Sequence, residues 1–423
     1  MKKQMKHKAE NGKFWTARYA VINATYFMGF CGVHAYASIF MLERGFTNSQ
    51  IGMLIAFANI FSVFIQPVIA GLIDKPGKLT NRRTASLCTA IVLVLSLALA
   101  FVREGKAAVF LIFMLIYMIQ MAYQPIIIAM NFEYAEKGCS INFGLARGIG
   151  SMGFAIYSPI IGNLLEKYGV SVIHIGDALA LAVGLLFLLT FRLPERDSSS
   201  VMEEKAEKAA LGEEAKKDSE EVFLAHNNFF DFVKYYPMFI LFLAATIFVF
   251  FTHNMLNDYL IQIIRPLGCT EKHVGYATAL AAVVELPTMA FFAKMVKKVS
   301  CEKLLFLSTV FFTVKVTVLL LANGIVGVII SQFCQIAAYA LFIPAAAYYA
   351  NIVMEKADQV KGQAYVNCAI TMGGMFSGLV CGRILDTSGP KMILVWGVAA
   401  CVIGAAMTAF AVRKREISSS KNF

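Results

Sequence analysis

Charge is what this sequence has least of. Only 15% of its 423 residues are Asp, Glu, Lys or Arg, against about 25% in a soluble globular domain. The charges stand in short runs between long apolar stretches, so no continuous solvated surface can be built from them. Signatures of catalysis are missing as well. The nine cysteines are scattered singly with no CxxC pair, and the six histidines include no HExxH. Zinc chemistry and a disulfide framework therefore have no residues to perform them. No phosphate-binding loop is present to use ATP, and no cofactor is implied. The net charge of +11 comes without a basic helix or an aromatic-rich strand motif, which excludes a nucleic-acid partner. The N-terminus is basic and then apolar, but the apolar run is too long for a signal-peptide core and has no A-x-A cleavage site.

What remains is apolar: 58% of the chain, with 35 Phe and 20 Met. A helix crossing the hydrocarbon core needs about 20 mostly apolar residues. Twelve stretches qualify, at 15–41, 50–73, 84–102, 108–131, 143–164, 171–193, 229–264, 274–293, 304–322, 325–354, 363–385 and 392–411. They are continuous rather than alternating, which argues against strands. The loops that share a side with the termini hold 25 Lys/Arg and the opposite loops only seven, an excess that predicts both termini in the cytoplasm of a cell membrane. The segment 194–228 carries ten acids and five bases and reads as a solvated tether or a partly helical surface segment. It separates two halves, 15–193 and 229–411, flanked by tails 1–14 and 412–423. Basic hairpins recur at matching places, GLIDKPGKLTNRR from Gly71 and AKMVKKVSCEK from Ala293, as in duplicated transporter bundles.

Ionisable groups at membrane depth cost at least ~2.5–3.5 kcal/mol each, so each asks for a reason. Glu285 stands mid-span in AAVVELPTMAF and Lys315 equally deep in TVFFTVKVTVLLL. A carboxyl group there is a candidate for carrying a proton, and a pairing with Lys315 would keep both charged. Arg147 and Phe154 are seven apart and share a helix face, with Gly148, Gly150 and Gly153 between them. A guanidinium beside a ring suits a polyol; the alternative is that Arg147 snorkels to the helix end. His34 reads more often as a satisfied polar contact than as a site residue, and Asp258 as a solvated group at the external mouth. Gln335 and Tyr339 give the tenth span a polar face, and Asn367 adds to the set. Interhelical hydrogen bonding explains any one of these as well.

GLIDKPGKLTNRR resembles the loop signature of the major facilitator superfamily, with Gly71, Asp74, Arg82 and Arg83 in the gating positions. More narrowly, the chain resembles the lactose permease branch, the oligosaccharide:proton symporters. IFMLERGFTNSQIGMLIA, FGLARGIGSMGF and VGYATALAAVVELP are similar to that branch's first, second, fifth and eighth helices. The resemblance implies an all-α polytopic fold of twelve transmembrane helices in two six-helix bundles. It implies substrate binding by Arg147 and Phe154, and a substrate and proton role for Glu285 with Lys315 near the branch's ninth-helix basic residue. The chain departs from the branch where its fourth-helix acid falls on Ile128, with Asn131 the nearest polar residue. Two seventh-helix acids fall on Asn254 and Asn257, and the tenth-helix His and Glu on Tyr339 and Phe342. The function expected is monomeric, proton-coupled uptake of a neutral sugar or oligosaccharide, not catalysis. Alternatives are a nucleoside:proton symporter, proton-antiport efflux of a drug or metabolite, and a non-translocating membrane sensor.

Overall fold

The computed structural model describes residues 2–74, 79–102, 104–137, 139, 141–192, 229–355 and 358–419. The acidic tether at 194–228 lies outside them, as do 75–78 of the first basic hairpin. Among the described residues, eleven helices are long and apolar enough to cross a membrane, and a bent pair counted as one span makes a twelfth. Among the described residues there is no strand.

The first span is Lys2–Phe30 continued by Ala37–Glu43. The part apolar enough to cross a membrane begins at Gly12, close to the expected 15, and the helix runs outward from there to Lys2 through a lysine-rich stretch with no proline. A π-helical turn, Cys31–Ala35, separates its two arms, which diverge by 49°. The second to sixth spans are Asn48–Asp74, Asn81–Phe101, Lys106–Glu136, Phe143–Tyr168 and Ser171–Thr190. The seventh is Pro237–Asp258, preceded by a short helix Phe229–Tyr235 and followed by Leu260–Ile264. The sequence reads these three as one run from 229 to 264; Pro237 and the break at Tyr259 divide it. The eighth and ninth are Glu271–Met295 and Cys301–Leu320. The tenth comprises Ile325–Phe333 and Tyr339–Val353 around a 3-10 turn, Cys334–Ile336, and the last two are Gln359–Ser388 and Pro390–Ser419.

Within the halves, the first span packs against the fifth, the third against the sixth, and the seventh against the eleventh and twelfth. The most extensive pairings among the described residues join the halves, second span with eleventh and fifth with eighth. Glycine sets their spacing. A Cβ on Gly52 would lie 1.9 Å from the Gly378 carbonyl oxygen, and one on Gly275 2.7 Å from that of Ser158, so neither position accepts a side chain at this separation.

The chain alternates direction at each span, so one face holds the ends of the sixth span and the start of the seventh (the linker face) and the other the 168–171 and 388–390 turns. Among the described residues, the hydrogen bonds and ion pairs between halves lie toward that far face. The Asp386 carboxylate accepts from the backbone N–H of Asn48 at 3.0 Å and of Ser49 at 2.8 Å, and from both side chains, at the N-terminus of the second span. Glu166 accepts from the Thr270 hydroxyl and pairs with Lys272 at 3.4 Å. Gln262 bonds Asn48 at 3.0 Å, Ser38 donates to the Asp258 carbonyl, and Ser158 bonds Thr278 at 2.6 Å. This arrangement is clasped at its far face.

An anionic cap on a helix N-terminus contributes roughly 0.5–2 kcal/mol. Asp386→Ala is therefore expected to raise the fraction opened at the far face about 2- to 30-fold. Cys269, 3% exposed in the loop before the eighth span, reports this directly. Its alkylation rate in the purified variant should rise by that factor; an unchanged rate would show that the carboxylate does not hold the seam.

Candidate functional site

A polar cluster lies where the eighth, ninth and tenth spans meet. Lys315 is 1% exposed, and its Nζ donates to Oε1 of Gln335 at 2.5 Å. Gln335, 3% exposed, donates from Nε2 to Oε1 of the half-buried Glu285 at 2.8 Å. The expected direct pairing of Lys315 with Glu285 is replaced by an amide bridge. The cause is local: the 3-10 turn Cys334–Ile336 packs on both the eighth and ninth spans and turns Gln335 between them. Just past the break the Ala338 carbonyl accepts twice, from the Phe342 N–H at 3.0 Å and from the Ser308 hydroxyl at 2.9 Å.

The seventh span contributes His253, which the sequence reading passed over. Its ring stacks on Tyr339, 4.7 Å between centroids and 13° between planes. Asn257 Nδ2 lies 3.0 Å from its Nε2, while its buried Nδ1 has no hydrogen-bond partner among the described residues. His253 and Lys315 interact electrostatically. The i,i+4 spacing of His253 and Asn257 in FFTHNMLND was the signal available, since such a pair shares one helix face.

Arg147 comes to this cluster from the other half. Its guanidinium stacks over Phe27 of the first span at 4.0 Å and donates to Ser151 at 2.9 Å. It interacts electrostatically with Glu285 and Tyr339, so it points along the span into the bundle rather than out to a surface. The ring that faces it is Phe27, with Phe154 packed partly buried against the core. Gly150 and Gly153 admit the first span, where added Cβ atoms would lie 2.9 Å from Phe27 and 3.1 Å from the Ala24 carbonyl; Gly148 has open space.

A second group sits closer to the clasped face. His34, in the π turn, stacks on Phe30 at 3.8 Å and lies tilted by 50° against Tyr117 at 3.9 Å. Tyr117 interacts electrostatically with Asp258, which brings His34 and Asp258 to one aromatic side chain. Asn254 bonds the Phe250 carbonyl and lies against Gly374 near Asn59.

Other expected residues stand apart. Asn131 is buried in the fourth span with Oδ1 unpartnered among the described residues, and Asn367 is exposed on the eleventh. In the loop expected to gate, Arg82 donates to the carbonyls of Leu188 and Leu189 at 3.4 and 3.2 Å, closing the end of the sixth span. Gly71 is exposed, and the backbone N–H of Arg83 donates to the Thr80 hydroxyl. Asp74 ends the second span; its side chain lies outside those described. A separate groove of about 710 Å³ beside the first, fifth and sixth spans is lined chiefly by Ala, Val, Ile and Leu and offers little to a polar solute.

Residues 18–395 match the family model described as "MFS_1 like family". The chain is 21% identical over 379 residues to the Uncharacterized transporter YwbF of Bacillus subtilis (strain 168), covering 87% of each protein. Its fold is similar to that of a point mutant of the nucleoside transporter NupG, with TM-score 0.74 at 15% identity over 95% of this chain and 98% of that one. The peptide transporter POT in complex with sulfate gives TM-score 0.68 at 14% identity, over 94% of each.

Lys315→Met and Glu285→Gln each remove one end of the bridge. Breaking a buried charge arrangement from one side costs roughly 3–5 kcal/mol, so each single variant is expected to melt well below the parent. The double variant should lose less than the two losses added together. Thermal unfolding of the four proteins checks this; additive losses would show that Gln335 does not couple the two charges.

Proposed function

Because the chain belongs to the MFS_1 like family and is a multi-pass membrane transporter of the major facilitator type, we propose that it performs proton-coupled uptake of a small neutral polyhydroxylated solute, a sugar or oligosaccharide, by alternating access. The observation that carries this reading is the Lys315–Gln335–Glu285 bridge meeting Arg147 and Tyr339 between the halves. Glu285 exchanges the proton. When neutral it releases its hold on the amide bridge and hydrogen-bonds a solute hydroxyl; when ionised it is held by Gln335 and Lys315. Arg147 contributes a planar fork of donors for hydroxyls, and Phe27 and Tyr339 supply apolar faces for the C–H side of a ring. Asn254 and Asn257 complete the polar wall, with Phe154, Asn367 and Asn131 further along the path.

The protein works as a monomer in the cell membrane with both termini cytoplasmic, in keeping with the Lys/Arg excess on that side. The clasped far face is then external, and the arrangement described is closed to the outside. Gly71, Asp74, Arg82 and Arg83 act at the cytoplasmic gate.

A nucleoside is the second reading. The stacked pair of Tyr339 and His253 presents a flat aromatic surface that suits a planar base better than a pyranose. The likeness to NupG is one of fold and decides nothing between the two solutes.

Proteoliposomes carrying an imposed pH gradient test the proposal, with labelled glucose, sucrose and uridine as probes. Accumulation down the proton gradient is expected for at least one of the sugars. Accumulation of uridine alone selects the nucleoside reading, outward flux selects antiport, and binding without flux would make the protein a sensor. Glu285→Gln should abolish accumulation while sparing exchange of preloaded solute; full accumulation in that variant ends the coupling role. Arg147→Ala removes charge-assisted hydrogen bonds of roughly 1.5–3 kcal/mol, an about 10- to 150-fold loss of affinity by isothermal titration. An unchanged affinity would return Arg147 to a packing role.

A further inference from the structure

A second ionisable island lies wholly within the N-terminal half, away from the Glu285 cluster. His174 and Asp177, one turn apart near the far end of the sixth span, are both 0% exposed. His174 Nδ1 is 3.6 Å from Asp177 Oδ2. Neither imidazole nitrogen, nor that carboxylate oxygen, has a hydrogen-bond partner among the described residues. The other carboxylate oxygen accepts from the Tyr157 hydroxyl of the fifth span at 3.3 Å. Phe40 and Phe113 close over the imidazole edge-on. The charged or titratable groups facing the pair are Tyr157, Cys31 in the π turn, and Arg44 at the end of the first span's outer arm. The fourth span presents Phe113.

An unpaired ionised carboxylate in such surroundings is prohibitively costly, and so is an unpaired imidazolium. The sealed pair is neutral overall only with one proton shared between its two members, whichever carries it. The carboxyl group also fills the space of a missing side chain: a Cβ on Gly32 would lie 2.0 Å from Asp177 Oδ1. Gly32 belongs to the π turn at which the first span bends by 49°. Beyond that turn the outer arm carries Ser38, which bonds Asp258 across the halves, and Tyr36, which bonds the Ser158 carbonyl at 2.6 Å. Ser158, next to Tyr157, itself bonds Thr278 across the seam. An arm that moves with the opening seam therefore pivots where it covers the carboxyl group.

We propose that His174 and Asp177 form a second proton-binding site, which holds one proton while the far face is clasped and exchanges it with water when the outer arm of the first span swings away. The site is independent of Glu285. Its consequence comes from linkage. Opened to water above the ordinary histidine range, near pH 6.5, the pair binds no proton, so opening releases one. Below that range and above the carboxylate range the opened pair holds one proton, and opening releases none. The opening equilibrium is then flat in mildly acidic solution and rises about tenfold per pH unit above the histidine range.

Hydrogen–deuterium exchange of the Asn48 and Ser49 amides, which Asp386 holds in the clasped arrangement, reads that equilibrium without any solute. The full chain in lipid nanodiscs is measured from about pH 5.5 to 8.5, a window in which Asp386 stays ionised, with rates corrected for intrinsic exchange. The expected result is the flat-then-rising profile, retained in Glu285→Gln, lost above the histidine range in Asp177→Asn, and extended downward toward the carboxylate range in His174→Gln. A rise that disappears in Glu285→Gln, or one that persists unchanged in Asp177→Asn, overturns the proposal. Should Asp177→Asn fail to fold, His174→Gln decides alone: an unshifted profile there also overturns it.

Discussion

A charge carried into a low-dielectric interior must be matched where it stands, and the site is organised around that demand. Lys315 needs an acceptor and Glu285 a donor, yet the two stand on neighbouring spans without touching. A carboxamide is the neutral side chain that can serve both, giving its oxygen to the ammonium and its nitrogen to the carboxylate. The orientation of Gln335 is set by that chemistry. The bridge keeps the charges compensated but separable. A direct ion pair would be harder to part, since each partner removed leaves a bare charge behind. Through an amide, Glu285 can change partner while Lys315 keeps an acceptor.

The two halves obey a different constraint. They approach most closely through glycine, Gly52 against Gly378 and Gly275 against Ser158, and lock through polar groups gathered toward one face. Backbone contact at glycine is close yet gives little directional preference, so it tolerates rocking. The directional bonds, Asp386 on the second span's N-terminus and Glu166 with Thr270 and Lys272, decide which side is shut. Most of these groups are partly exposed, where charge pairs are weak, and a weak clasp suits two states that must interconvert.

Most of the architecture was legible in the sequence because membrane spans announce themselves by length and apolarity. The charge bias of the loops and the deep placement of Glu285, Lys315 and Arg147 were equally visible. The breaks were not. Nothing in the run from Ile325 to Met354 marks the 3-10 turn at Cys334–Ile336, which depends on how the tenth span packs between two others, and that turn is what converts an expected ion pair into a bridge. Phe27 likewise replaces Phe154 beside Arg147, because the partner ring comes from another span and no spacing rule reaches across a bundle. His253 escaped notice for a related reason: its neighbours Tyr339 and Lys315 come together only in the fold.

The first span's π turn connects these regions. A π-helical insertion shifts the register of the residues beyond it and marks functional positions more often than chance allows. Here it turns His34 toward Tyr117 on one side and lays Gly32 against Asp177 on the other. The arm beyond it reaches the clasp, and the arm before it carries Phe27 to Arg147. One helix therefore touches the Arg147 cluster, the buried His174–Asp177 pair and the seam. Straightening at the turn would disturb all three together, whereas a continuous α-helix would move as a rod. Coupling between distant groups needs an element with two discrete arrangements, and a broken span at the junction of both islands is the part of this fold built to supply one.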